Sequence, residues 1–454
     1  MKVAAILLAA GQGTRMKSDL PKVLHPLCGK PMLWHVLEAV KKVATEKPVV
    51  IVGHGAEQVN TFVGGTADCV LQEPQLGTAH AALQAASLLK GKSDYVLVVY
   101  ADMPLLQDGT FRRLVESQRV NPGPFSMLTV MADDPRGFGR IVRSPNGKVE
   151  AIVEEAVATP EQLNIHELNV GVYCFKSEWL WAALPRVQKN PQKGEYYLTD
   201  VVELAVKDDL AVQAVVHNDL FETIGINTRV HLAEAEAAMR QRINRAHMLN
   251  GVSMMDPVST YIEAGISIGQ DTLIMPNTYI HGNTMIGRKN VIGPDTIIRD
   301  SRIGDRCKVL ASVLEGAELE DDIDMGPFAR LRKGAHLAKG VHMGNFGEVK
   351  DSYLAPGVKL GHFSYIGNAT IGVNTNIGAG TITCNYDGEK KNPTEIGSDV
   401  FIGSDTMLVA PVKIGDGAKT GAGAVVTKDV PADTLVVGMP ARAIKKLERK
   451  TKKH

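Results

Sequence analysis

Residues 262–298 read IEAGISIGQDTLIMPNTYIHGNTMIGRKNVIGPDTII, and Ile262, Ile268, Ile274, Ile280, Ile286, Ile292 and Ile298 stand at every sixth position. An amphipathic helix repeats near 3.6 residues and a half-buried strand at 2, so neither explains this spacing. A period of six is the signature of a parallel β-helix, in which each hexapeptide forms one short side of a coil and turns an aliphatic side chain inward.

Working outward, the solenoid begins near Gly251. After Ile298 the register slips by one and resumes at Ile303 and Val309. It runs again through Met325, Leu331, Leu337, Met343 and Val349, then Leu354, Leu360 and Ile366, then Ile371 and Ile377. The last stretch is Ile396, Ile402, Leu408, Ile414, Thr420 and Val426. Glycine often follows the inward residue, as at 269, 287, 304, 344 and 378, and is expected to form the tight corners. Between Ile377 and Ile396 the polar run Cys384-Asn385-Tyr386-Asp387-Gly388-Glu389-Lys390-Lys391-Asn392-Pro393 should leave the coil as a loop. The basic tail Lys445–His454 reads as a solvated end.

Lys+Arg and Asp+Glu balance at 50 each, which argues against general nucleic-acid binding. Five scattered cysteines without a CxxC predict a reduced, cytoplasmic setting with no disulfide frame and no structural zinc. No apolar run approaches the roughly 20 residues of a membrane span. The apolar run Val3–Ala10 reads as a buried first strand rather than a signal peptide.

The first half alternates aliphatic runs (Val3–Leu8, Pro48–Val52, Tyr95–Tyr100) with helical stretches (Met32–Val43, Thr78–Leu89). This rhythm predicts a doubly wound, Rossmann-like α/β domain over residues 1–226, with ligands at the C-terminal ends of its strands. Residues 227–249 should be a linking amphipathic helix. Leu232, Ala235, Met239, Ile243 and Ala246 form its apolar stripe and Thr228 is a candidate N-cap. Residues 250–454 are the solenoid and its tail.

Leu8-Ala9-Ala10-Gly11-Gln12-Gly13-Thr14-Arg15 follows the first strand, with Pro21-Lys22 close behind. Amide groups of a Gly-rich turn can cradle phosphate, and Arg15 and Lys22 supply the charge a triphosphate needs. Neither the Walker P-loop nor the dinucleotide GxGxxG pattern fits, and an ordinary strand–helix turn is the alternative. Asp102, at the end of an aliphatic strand, is well placed for Mg²⁺ or is a capping residue.

At these residues the chain resembles the nucleotidyltransferases that make nucleotide sugars. With the solenoid, the resemblance narrows to the GlmU family of N-acetylglucosamine-1-phosphate uridyltransferases and glucosamine-1-phosphate acetyltransferases, and it runs over nearly the whole chain. That resemblance implies UTP held by Leu8, Ala9, Gly11, Gly13, Lys22, Gln72, Gly77 and Thr78, with Gln72 reading the base and Arg15 and Lys22 catalytic. A loop with Thr78 as helix N-cap is the bland alternative. It implies Mg²⁺ on Asp102 and Asn227, with Asn227 otherwise a helix cap. Gly139, Glu154, Asn169, Tyr197, Thr199 and Asn227 would be the sugar contacts. Two departures bear on the sugar. Ala101 replaces the usual Gly, and its methyl is expected to press on the substrate. Ala156-Val157 replaces the usual Lys-Asp pair.

In the second half the resemblance implies a left-handed β-helix, a homotrimer and acetyl-CoA as co-substrate. His362, after Leu360-Gly361, is expected to point from a solenoid wall as general base. Arg332, Lys350, Tyr365, Asn376 and Lys391 would hold the sugar phosphate, and Asn385, Tyr386, Ser404, Ala422 and Arg442 the acetyl-CoA. Lys333 stands where the family commonly has Pro. The rivals are a single-activity nucleotidyltransferase with a merely oligomerising solenoid, and a non-catalytic scaffold.

Overall fold

The computed structural model describes residues 1–191 and 193–447, with the backbone alone at Ala156. Two compact units result, Met1–Met239 and Arg240–His454. The boundary falls inside the helix Arg229–Leu249.

The first unit is built on a sheet of β1 (Val3–Leu8), β2 (Val49–Val52), β3 (Asp68–Leu71), β4 (Tyr95–Tyr100), β5 (Phe125–Met131), β6 (Arg140–Arg143), β7 (Val149–Val153), β8 (Glu167–Lys176) and β9 (Gln213–His217). The order along the sheet is β9-β5-β8-β4-β1-β2-β3, with β6 and β7 attached beside β8. β1 lies parallel to β2 and β4, whereas β8 runs antiparallel to both β4 and β5. The sheet is therefore mixed rather than wholly parallel. β1 and the interior of β4 are buried on both faces, as their aliphatic runs require. The stretch expected as one helix from Thr78 to Leu89 is two, Thr78–Gln84 and Ala86–Leu89. Leu8 pairs with Tyr100, so the Gly-rich loop and Asp102 leave the sheet side by side at the C-terminal ends of adjacent strands.

The second unit is a parallel β-helix with three walls, of 12, 10 and 9 strands. Ile262 pairs with Ile280 and Ile280 with Ile298, so each column of isoleucines lines one wall. Of the seven, only Ile268 is partly exposed. The next coil closes early, at Leu314, and Leu319 follows it. Both are buried inward positions that the period of six missed because this coil is two residues short. Thr383 is a further inward position, with its hydroxyl donating to Gly367 O at 3.1 Å and accepting from Gly367 N at 2.8 Å.

Of the glycines that follow inward residues, Gly293 and Gly326 do take the positive φ expected of corner residues, whereas Gly269, Gly287, Gly304, Gly344 and Gly378 do not. Elsewhere left-handed backbone falls two or three positions after the inward side chain, at Asp or Asn such as Asp271, Asn277, Asp300 and Asn374 and at glycines such as Gly265 and Gly282. Gly344 and Gly378 are needed for a different reason. A Cβ on Gly344 would lie 1.9 Å from Gly361 O, and one on Gly378 2.6 Å from Ile402 O, so their bare backbone lets coil stack on coil.

In the helix Arg229–Leu249, Thr228 does cap, accepting from His231 N–H at 3.2 Å. Ala235 and Met239 are buried as the stripe requires, but Ala246 is exposed, and in the last two turns the buried position is Asn244. Its amide donates to Pro257 O and Thr260 O at 2.8 and 2.9 Å, so a polar side chain closes the base of the solenoid. Residues 448–454 of the basic tail lie outside the described residues.

Candidate active sites

In the first unit a cleft of about 530 Å³ opens over the C-terminal ends of the strands. Leu8, Ala9, Gly11, Gly13, Arg15, Lys22, Gln72, Gly77 and Thr78 all line it, as do Asp102 and Asn227. Gly13 adopts left-handed backbone, and a Cβ there would meet Lys22 Cβ at 2.7 Å. The missing side chain is what lets the Lys22 stem pass against the loop. Gln72 is buried, its amide donating to Gly77 O at 2.9 Å. Thr78 is not the helix cap, since Gly77 takes that position, and its Oγ1 instead accepts from Leu198 N–H at 2.9 Å.

A second cavity of about 180 Å³ adjoins the first. Gly139, Glu154, Asn169, Thr199 and Asn227 line it, whereas Tyr197 lines neither cavity. Tyr100, Asp102 and Asn227 belong to both linings and form the shared rim. A bulge in β8 shapes this rim. Asn169 Nδ2 donates to Tyr173 Oη at 2.8 Å and Asn169 Oδ1 accepts from Gly171 N at 3.1 Å, and a Cβ on Gly171 would lie 2.5 Å from the Tyr100 ring. Burial raises the Glu154 carboxyl above its ordinary value, against a hydrogen bond from Thr199 Oγ1. Burial, helped by the Glu203 and Glu154 charges, raises Asp200 to about 6. Ala101 lines neither cavity. Its methyl is fully buried in the apolar cluster with Val99 and Met103, so it does not project into the second cavity. The side chain of Ala156, half of the pair that departs from the family, is outside the described residues.

At the rim the Lys22 ammonium donates to the Asp102 carboxylate and, at 3.1 Å, to Asn227 Oδ1. Two oxygens already converge on a cation there, a donor set that fits a hard divalent ion. Two residues unnoticed in the sequence support the site. Gln75 Nε2 donates to Ala10 O at 2.9 Å, steadying the Gly-rich loop. Arg229 donates to Met16 O at 3.2 Å and lies 3.1 Å from His25 Nδ1, anchoring the loop's far end. Only their places, in the Gln72–Gly77 segment and just after Asn227, hinted at a role.

In the second unit the candidate residues flank the wall of ten strands. Arg332 and Lys350 follow the paired inward residues Leu331 and Val349 at one edge of that wall. Arg332 Nη1 pairs with Glu348 at 3.0 Å and Lys350 with Asp351 at 3.3 Å. Tyr365 lies on the same wall beside Glu348 in register. A Cβ on Gly367 would fall 2.5 Å from Tyr365 Oη and 2.7 Å from Asn385 Nδ2, so this glycine, paired with Lys350, leaves room for both polar groups. The loop does leave the coil. Asp387 accepts from the amides of Glu389 and Lys390 and from Asn392 Nδ2, which holds its carboxyl down at about 2. Lys391 Nζ sits 4.5 Å from the centre of the Tyr386 ring.

His362 is not on a wall. It is exposed in the bend between strands Lys359–Leu360 and Ser364–Gly367, because it stands two positions after inward Leu360 and the chain is already turning. The corresponding positions of the following coils are Ala379, Ser404 and Ala422, so His362 heads a column containing two of the expected acetyl-CoA residues. Asn376 lies on the wall before that corner, and Arg442 on an exposed strand paired with Thr434–Val437.

Residues 5–183 match the family of MobA-like NTP transferase domains, and residues 265–300 and 393–428 match the bacterial transferase hexapeptide repeat. A bifunctional protein GlmU from Geobacillus sp. (strain WCH70) is 46% identical over 98% of this chain and 97% of its own. One from Geobacillus thermodenitrificans is 48% identical with the same coverage, and one from Latilactobacillus sakei 45% identical over 95% of this chain and 94% of its own. Among solved structures, a CMP:2-keto-3-deoxy-manno-octonic acid synthetase complexed with CTP covers 53% of this chain and all of its own at 17% identity and a TM-score of 0.41, too slight a likeness to argue from.

Proposed function

The chain belongs to the GlmU family of bifunctional enzymes, and on that premise we propose how its residues perform the two transfers. The solenoid acetylates glucosamine-1-phosphate from acetyl-CoA, and the α/β unit joins the product to UTP, giving UDP-N-acetylglucosamine and pyrophosphate. The observation that carries the residue assignment is the rim shared by the two cavities of the first unit. It gives a triphosphate and a sugar phosphate one meeting point at Tyr100, Asp102 and Asn227.

In the uridylyl transfer, a phosphate oxygen of N-acetylglucosamine-1-phosphate attacks the α-phosphorus of UTP. A new P–O bond forms as the bond to the β-phosphate oxygen breaks, and pyrophosphate leaves. The nucleophile is already anionic, so no general base is required. Arg15 and Lys22 stabilise charge on the leaving group, Gln72 and the Gly77–Thr78 turn seat the base, and Glu154, Asn169 and Thr199 orient the sugar. Mg²⁺, held by Asp102 and Asn227, would supply further neutralisation of phosphate charge when bound.

In the acetyl transfer, the amino group of glucosamine-1-phosphate attacks the thioester carbonyl, His362 takes the amine proton, and the C–S bond breaks to release the CoA thiol. Arg332 and Lys350 hold the sugar phosphate, with the Arg fork suited to bidentate contact. Tyr365, Asn376 and Lys391 orient the acceptor, Asn385 and Tyr386 orient both the acceptor and the acetyl-CoA, and Ser404, Ala422 and Arg442 face the coenzyme. We place the enzyme in the cytoplasm as a homotrimer of left-handed solenoids. Among the described residues no helix is long and apolar enough to cross a membrane.

Two substitutions assayed separately test the assignment. Asp102→Ala should abolish uridylyl transfer and spare acetyl transfer, and His362→Ala should do the reverse. Loss of both activities in either soluble, folded variant would refute it.

A further inference from the structure

Lys22 holds the two oxygens assigned to the metal. Its ammonium donates to the Asp102 carboxylate and to Asn227 Oδ1, and the pair is largely shielded, with the Lys22 side chain 14% and the Asp102 side chain 18% exposed. Both partners sit on the rim between the cavities, and Lys22 also lines the larger cleft, within reach of bound phosphate. A divalent ion drawn to the same two side chains at about 2.0–2.1 Å would be crowded and repelled by an ammonium already held there. In a shielded site an ion pair is strong, and removing one partner leaves a costly lone charge, so Asp102 keeps a cation at all times.

We propose that Lys22 is a built-in surrogate cation, occupying the Asp102–Asn227 site until nucleotide phosphate draws its ammonium away. The inference rests on the metal assignment above and extends it. Lys22 suits the exchange. Its ammonium is a compact point charge on a flexible stem, and bare Gly13 leaves room for that stem against the loop. Nucleotide and metal are thereby coupled beyond their direct contact, since each favours the arrangement in which Lys22 has let go.

The test is binding of Mn²⁺ alone, in the absence of nucleotide, read by electron paramagnetic resonance of the free ion. Lys22→Met, similar in length but uncharged, should bind Mn²⁺ about tenfold or more tightly than the wild type. The double variant Lys22→Met/Asp102→Asn should lose that gain. Lys22→Gln provides a second neutral variant should the first fail to fold, with a wild-type thermal unfolding transition of the first unit as the check on folding. Binding by the neutral variants equal to or weaker than wild type, or absent in both, overturns the proposal. If Asp102→Asn leaves Mn²⁺ binding with UTP unchanged, it is the metal assignment that fails.

Discussion

Gly13→Ala adds one methyl group to the loop that follows the first strand. Two costs can be worked from the structure. The residue sits at φ 64° and ψ 29°, where an L side chain costs about 1–2 kcal/mol. The new Cβ would also lie 2.7 Å from Lys22 Cβ, well inside ordinary contact. That neighbour is the first atom of its side chain and cannot rotate aside, so the loop or the Lys22 backbone must shift. A displacement on the order of 1 Å at a charged group that meets phosphate costs about a hundredfold in rate. The expected result is uridylyl transfer lowered about 100-fold, measured as pyrophosphate release, with stability of the first unit lowered by about 1–2 kcal/mol. Acetyl transfer, measured as thiol release in the same preparation, should be unchanged because no residue assigned to it belongs to the first unit. Uridylyl transfer within about threefold of wild type would refute the reasoning, because such a change is under 1 kcal/mol and leaves no room for a displaced Lys22.

Asp200→Asn should stabilise the first unit at neutral pH. A carboxyl raised to about 6 contributes stability below its ordinary value, and that contribution is lost as pH rises through about 6. After discounting for its half-exposed position, the gain at pH 7 is about 1 kcal/mol, vanishing near pH 4, as read from thermal unfolding at the two pH values. Leu331→Ala removes a fully buried side chain from the solenoid and should cost about 2–5 kcal/mol in denaturant unfolding of the second unit. Thr383→Val leaves the buried Gly367 amide without its side-chain acceptor and should cost about 1–3 kcal/mol. Because Gly367 packs beside Tyr365 and Asn385, the same change should lower acetyl transfer and leave uridylyl transfer intact.

The solenoid was legible in the sequence because its inward positions repeat at the period of its walls, so Ile262 to Ile298 report burial directly. Leu314 and Leu319 escaped because a shortened coil destroys the period without disturbing the stacking. Glycine misled for a related reason. Its frequency reflects close approach between coils as much as backbone sign, and only coordinates separate Gly344 from Asp271. That the Gly-rich loop, Gln72 and Asp102 would line one cleft could be read because each follows a strand end, where an α/β sheet gathers its ligands. The direction of β8 could not, since a strand buried on both faces carries no record of which way it runs. Nor could the burial of the Ala101 methyl, or the corner position of His362, since each depends on where one residue falls relative to a turn.

The account stands most directly on what the purified chain does with acetyl-CoA. Incubated with glucosamine-1-phosphate, acetyl-CoA, UTP and Mg²⁺, it should release one thiol and one pyrophosphate for each UDP-N-acetylglucosamine formed. Omitting UTP should leave thiol release intact and accumulate N-acetylglucosamine-1-phosphate. Pyrophosphate formation from supplied N-acetylglucosamine-1-phosphate with no thiol release from acetyl-CoA would contradict the account, leaving a nucleotidyltransferase on an inert solenoid.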